Sequence, residues 1–141
     1  MIQSKNLNAG LFNLRQLLYG TFDMNCHIAT GKIDTASLWN KLSVEISLIP
    51  SPENTNRAAS FGHIMGGYDA GYYGYMWSKV YSSDLFSQFE KEGVLNPTLG
   101  RKYRDKILAP GYERDGMDSI VDFLGRAPVV DPFLKEIGLS V

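Results

Sequence analysis

Leu7, Leu11, Leu14, Leu18 and Phe22 follow one another at intervals of four, three, four and four residues. That repeat keeps side chains on one stripe of a helix of about 3.6 residues per turn, and it predicts a helix over residues 8 to 29. The far side carries Phe12, Leu17, Tyr19 and Met24, so the helix is apolar over more than half its circumference and needs partners on several sides. A chain of 141 residues has few elements to offer it. A strip of Leu7, Leu11, Leu14 and Leu18 is therefore expected to stay uncovered and to favour self-association through this first helix.

The remaining pattern is also helical. Asp34 or Thr35 can cap a second helix whose Leu38, Leu42, Ile46 and Ile49 share a face, and Pro50 with Pro52 ends it. The stretch PSPENTNRAAS that follows reads as a loop. Asn96 before Pro97 and Asp131 before Pro132 each place a capping side chain ahead of the residue best tolerated at a helix start. Between them Met117, Ile120, Val121 and Leu124 form an apolar face ending at Gly125, a candidate left-handed C-terminal residue. No segment alternates at period two. The expected class is all-α, a single helical domain over residues 1–141 without internal repeats.

Composition narrows the function classes. A net charge of -1, with Lys and Arg dispersed along the chain, gives no electrostatic footprint for nucleic acid or an anionic membrane. The single cysteine, Cys26, cannot form an internal disulfide and reads as a buried, inert thiol in a reducing compartment. MIQSKNLNAG lacks the apolar core of a signal peptide, and no apolar run approaches the roughly 18 residues of a membrane span. The expected location is the cytoplasm, with the mitochondrion as the alternative. His27 and His63 are 36 residues apart, with no H-x-x-x-H or C-x-x-C spacing, so no metal site is expected from this chain. His27, near a helix C-terminus, is explained by the helix dipole.

The stretch SFGHIMGGYDAGYYGYMWSKVYS, residues 60 to 82, is the chemically unusual one. At about 100° per residue, a helix begun at Tyr68 would place Tyr68, Tyr72, Tyr75 and Lys79 in one sector and Tyr73, Met76, Trp77 and Val80 on a packing face. Tyrosines at such spacing also suit a core helix with satisfied hydroxyls. Gly66 and Gly67 ahead of them allow positive φ and close approach of another chain, which points to a mobile loop that admits a peptide or other polar ligand. Gly66 and Gly71 have the spacing of a phosphate loop, but Tyr72 and Tyr73 stand where Lys and Ser/Thr are required.

The residues FGHIMGGYDAGYYGYMWSKVYSSDLF resemble the substrate-binding segment of the thimet oligopeptidase, neurolysin and saccharolysin family of zinc metallopeptidases, whose form is F-G-H-x-x-G-G-Y-D-x-x-Y-Y-G-Y-x-W. The resemblance continues through NLNAGLFNLRQLLYGTFD, EGVLNPTLGRKYRDKIL and FLGRAPVVDPFLKEIGL. Lys79, where an acidic residue is expected, and Tyr112, where glycine is usual, depart from it. It implies the C-terminal helical part of a zincin-like catalytic domain, acting on short peptides. His63 falls on the family's histidine that faces the scissile bond, Tyr68, Tyr72 and Tyr75 on its active-site tyrosines, and Gly66 and Gly67 on its flexible loop, which implies catalytic roles for His63, Tyr72 and Tyr75 and substrate binding by Gly66, Gly67 and Tyr68. The family's zinc is held by H-E-x-x-H and a further glutamate. No H-E-x-x-H occurs here, so the chain looks like the C-terminal piece of a longer enzyme, with zinc a cofactor of that parent, and is expected to be inactive alone. The alternative is a non-catalytic helical module that binds peptides or another protein.

Overall fold

The computed structural model describes residues 6–139, and its regular elements are all helical. In order they are α1 (Ala9–Ile28), α2 (Thr35–Leu42), α3 (Gly74–Glu92), α4 (Pro97–Tyr103), α5 (Gly116–Leu124) and α6 (Asp131–Glu136). Single π-helical turns extend α2 over Ser43–Ser47 and α4 over Arg104–Leu108, and 3-10 turns cover Arg57–Ser60 and Gly62–Met65. The all-α expectation holds. The chain forms two compact units, Met1–Met76 and Trp77–Val141.

In the first unit the core is built by α1, α2 and the loop after them: Leu18, Phe22, Trp39, Leu42, Phe61 and Tyr72 are buried together. Its aromatic rings meet at angles that suit their quadrupoles, as in Phe22 against Trp39 at 5.0 Å and 71° and Tyr19 against Tyr72 at 5.3 Å and 89°. Of the predicted α1 strip, Leu7 and Leu11 remain 80% and 53% exposed. Leu18 does not, because its side chain enters the aromatic core. Phe12 and Leu17 are exposed as well.

Asp34, rather than Thr35, caps α2: its carboxylate accepts from the Ser37 N–H at 3.1 Å and from Ser37 Oγ at 2.7 Å. The helix runs through its π turn and stops at Leu48, in the left-handed region at φ 59, before either proline is reached. Ile49 is consequently exposed instead of sharing the buried face. The loop that follows is not wholly irregular, since Asn56 Oδ1 accepts from the Ala59 N–H and starts a 3-10 turn.

The largest correction concerns α3, which starts at Gly74 and not at Tyr68. Residues 68 to 73 form successive turns that lead into α3, with Gly71 N–H donating to the Tyr68 carbonyl, Gly74 N–H to Gly71 and Tyr75 N–H to Tyr72. Gly67 at φ 84 and Ala70 at φ 55 are left-handed and cannot belong to an α-helix. The phase of the side chains shifts with them. Tyr72 turns into the core, whereas Tyr73 and Trp77, expected on the packing face, are each 51% exposed.

The second unit is organised around Phe123, which is completely buried on α5 and meets the rings of Phe89 and Tyr103. Ser119 and Phe123 form the buried face of α5, while Met117 and Val121 of the expected face are exposed. Asn96 caps α4 as expected, its Oδ1 accepting from the N–H groups of Thr98 and Leu99. Asp131 does not cap α6. It is the first residue of that helix, and the carbonyl of Val130 accepts from the N–H groups of Phe133 and Leu134. Gly125 ends α5 at φ 74, as predicted.

Asp84 of α3 is buried with no exposed surface and accepts from four donors. The Arg126 guanidinium binds both its oxygens, the Val129 N–H reaches Oδ2 at 2.8 Å, and Ser87 Oγ adds a longer contact at 3.5 Å. Burial alone would raise the Asp84 carboxyl. The hydrogen bonds from Arg126 and Val129, the guanidinium charge and the Ser87 contact together outweigh it and hold the carboxyl below its ordinary value.

Because the folded carboxyl is depressed, its stabilising contribution is complete above its unfolded pKa of about 3.9 and is lost as pH falls through the folded value. Urea unfolding followed from neutral pH down to about pH 3 should therefore show a steep acid loss that Asp84→Asn flattens. At neutral pH that substitution should cost about 3 kcal/mol, toward the lower end for breaking a buried pair because part of Arg126 stays in water. Parallel acid profiles for the two proteins would contradict this role. The uncovered leucines give a second expectation. Sedimentation at micromolar concentration should show reversible self-association, reduced in a Leu7→Lys, Leu11→Lys double variant. A concentration-independent monomer would contradict it.

Candidate functional site

The six residues singled out in the sequence all lie between Gly62 and Met76, within the first unit. The structure brings four of them into one cluster. The His63 imidazole sits on a short 3-10 turn, with ring centroids 5.6 Å from Tyr68, 5.0 Å from Tyr72 and 5.8 Å from Tyr75. All three rings stand nearly perpendicular to it, at 83°, 84° and 86°. Tyr68 and Tyr75 stack at 5.0 Å with only 7° between their planes. Helical phase does not produce this arrangement, since Tyr68 precedes the helix. It arises because the loop folds back on itself: the His63 carbonyl accepts from the N–H groups of both Gly66 and Tyr68, each at 3.1 Å.

The two glycines have different roles in that turn. Gly67 supplies the positive φ of 84, a conformation costly for other residues. Gly66 has an ordinary φ of -112, but a Cβ there would lie 3.2 Å from the Gly62 carbonyl oxygen. One glycine is needed for torsion and the other for space.

The tyrosines also differ. Tyr68 and Tyr75 are exposed, and Tyr72 is buried with its hydroxyl donating to Gln16 Oε1 at 3.1 Å. The Tyr75 phenol is pushed up from its usual value, first by its hydrogen bond with Tyr68, then by partial burial and by the charges that Tyr68 and Tyr72 would carry on ionisation. The Tyr72 phenol is pushed up chiefly by burial. Both groups thus stay protonated well above neutral pH, as hydrogen-bond donors must.

Sequence reasoning missed the residue that anchors the cluster. Asp23 of α1 has no exposed surface. Its Oδ1 accepts from the Ala70 N–H at 2.9 Å and its Oδ2 from the Tyr72 N–H at 3.0 Å. His27 Nδ1, one helical turn on, lies 2.9 Å from Oδ1 and 2.7 Å from the Asp23 carbonyl oxygen. His27 is therefore more than a charge at a helix end. The available signal was a carboxylate set between Phe22 and Met24 in an otherwise apolar stretch, where a buried charge must have partners. Cys26 is partly buried, and burial followed by the neighbouring Asp23 charge pushes its thiol up, away from the reactive thiolate.

Among the described residues no group of three or more His, Cys, Asp or Glu side chains could hold a metal ion, and none of the helices is long and apolar enough to cross a membrane. A cavity of about 340 Å³ lies elsewhere in the first unit, against Phe12, Arg15, Trp39, Ile49, Pro50 and Arg57, and none of the six site residues lines it.

The sequence was compared with known proteins. The model of peptidase family M3 matches residues 1–139. The chain is 40% identical to the thimet-like oligopeptidase of Dictyostelium discoideum over 141 residues, which is 99% of this chain and 21% of that protein. It is 42% identical to saccharolysin of Saccharomyces cerevisiae, with 99% of this chain and 20% of the relative covered. Against oligopeptidase A of Escherichia coli the identity is 38%, covering 99% and 21%. The chain thus spans about a fifth of the length of the curated relatives it matches. With a family match that includes the His63 segment and runs nearly end to end, this chain belongs to peptidase family M3.

Proposed function

We propose that this chain provides the peptide-gripping part of a zinc-dependent oligopeptidase that hydrolyses short peptides. The observation that carries the reading is the His63 cluster, in which three phenolic rings stand edge or face to one exposed imidazole on a loop shaped by two glycines. Membership of family M3 and the oligopeptidase names of the relatives support it.

Zinc is the metal that the family resemblance implies, but the described residues do not fit it. The described residues offer no group of three or more His, Cys, Asp or Glu side chains that could hold a metal ion, and the rings of Phe61, Tyr68, Tyr72 and Tyr75 lie against His63. Metal binding and activation of water are accordingly assigned to residues outside these 141. The role left to this chain is recognition and charge stabilisation. As a nucleophile adds to a peptide carbonyl, negative charge grows on its oxygen, and a donor aimed at that position lowers the barrier by about 3 kcal/mol. The Tyr75 hydroxyl and the His63 imidazole N–H, both on exposed residues, are donors of this kind, the hydroxyl after exchange of its hydrogen bond with Tyr68. Tyr68, stacked on Tyr75, is suited to contact the substrate backbone. The Tyr72 hydroxyl already donates to Gln16, so its part in the proposal is to hold the imidazole edge, with donation to substrate only after exchange of that partner. Gly66 and Gly67 let an extended peptide approach the loop backbone.

Two expectations follow. The pure chain should not hydrolyse a quenched short peptide with or without added zinc, and chelator-sensitive cleavage by it would overturn the assignment of metal binding elsewhere. In a full-length protein that carries this segment, His63→Ala and Tyr75→Phe should each lower kcat by about a hundredfold while changing KM far less, because their bonds strengthen as charge develops. Normal turnover by both variants would return the cluster to a packing role.

A further inference from the structure

We propose that Asp23 is the positioning residue of the His63 cluster: its buried carboxylate fills an anion-binding turn formed by the backbone of residues 70 to 72 and so determines where the tyrosine rings stand. This deepens the peptide-gripping reading and rests on it for its functional meaning.

Ala70 is held at φ 55, where a side chain crowds its own backbone. That left-handed residue turns the Ala70 and Tyr72 N–H groups the same way, into a concavity of the kind that binds anions. In this protein the anion is internal. Asp23 Oδ1 takes the first N–H and Oδ2 the second, across 47 and 49 residues of chain. A carboxylate with no exposed surface is costly unless its lone pairs are used, and His27 Nδ1 at 2.9 Å supplies a further partner to Oδ1.

The geometry links this turn to the cluster directly. Fixing the Tyr72 N–H places its ring in the core, 5.3 Å from Tyr19 and 5.2 Å from Phe61, and 5.0 Å from His63. Tyr75 follows one turn later, its N–H bonded to the Tyr72 carbonyl, and there it stacks on Tyr68. Without the Asp23 acceptors, Ala70 and Tyr72 lose the side-chain partner whose hydrogen bonds offset the Ala70 torsion. Relaxation of Ala70 to negative φ would re-aim Tyr72 and Tyr75 together and open the ring arrangement around His63. A neutral asparagine keeps the size of the side chain but has one acceptor oxygen and an NH₂ facing the other N–H, so it cannot satisfy both.

The test uses the 141-residue chain and nuclear magnetic resonance, with neither peptide nor metal, so that its outcome is separate from that of the enzymatic reading. In Asp23→Asn, with helix content retained by circular dichroism, hydrogen exchange at the Ala70 and Tyr72 amides should accelerate at least about tenfold. The His63 ring protons, displaced by the ring currents of the three tyrosines, should move toward the positions of a free histidine. If Asp23→Asn does not fold, Ala70→Pro decides the matter. At that exposed position proline removes a single N–H and forbids positive φ while leaving Asp23 its other partners. It should shift the His63 ring protons in the same direction. Unchanged His63 signals in a folded Asp23→Asn protein, or in Ala70→Pro, would overturn the proposal.

Discussion

A carboxylate with no access to water must be satisfied by the chain around it, and Asp23 is satisfied by two backbone N–H groups and an imidazole. The helix that carries it also supplies Leu18 and Phe22 to the aromatic core. A single segment therefore provides both the apolar surface on which the first unit condenses and the polar point to which its loop is tied. Hydrophobic burial is non-directional, so it could hold Phe61 and Tyr72 against α1 in several registers. Hydrogen bonds to a buried anion have fixed direction and allow one.

The second unit uses the same device with a different donor. Asp84 lies on a helix next to a buried Ser83 and collects the Arg126 guanidinium and the Val129 N–H from the turn after α5. Ser83 donates to Glu136 of α6 at 2.6 Å, which brings a third element to the same helix. α4, α5 and α6 have seven, nine and six residues, and isolated helices of such length are marginal in water. They are held by tertiary contacts: Phe123 against Phe89 and Tyr103, and the convergence of Lys106 and Arg114 on Asp122.

These constraints give the His63 cluster its character. Its members come from a 3-10 turn, a loop and the first turn of a helix, elements that would not hold three rings perpendicular to an imidazole by local preference. Tyr72 shows how packing and site are combined, since its ring is part of the core and also forms one wall around His63. Tyr68 and Tyr75 are the exposed tyrosines of the cluster.

The sequence by itself determined that the chain is helical, where several helices begin and end, and which family it belongs to. Asn96 with Pro97, Gly125 and the period of α1 act through neighbours a few residues away, and such signals survive without knowledge of the fold. The candidate site residues His63, Gly66, Gly67, Tyr68, Tyr72 and Tyr75 stand in the sequence as a short continuous motif. Their geometry does not follow from it. Tyr68 to Tyr73 carry an acceptable helical period, yet this stretch forms successive turns because Asp23, 47 residues earlier, captures the N–H groups of Ala70 and Tyr72. The same non-local competition decided that Leu18 is buried while Leu11 is not, and that Phe123 rather than Val121 faces inward on α5. Periodicity fixes angles around one helix axis, whereas the buried side of that axis is chosen by partners distant in sequence, and only the tertiary structure brings those partners together.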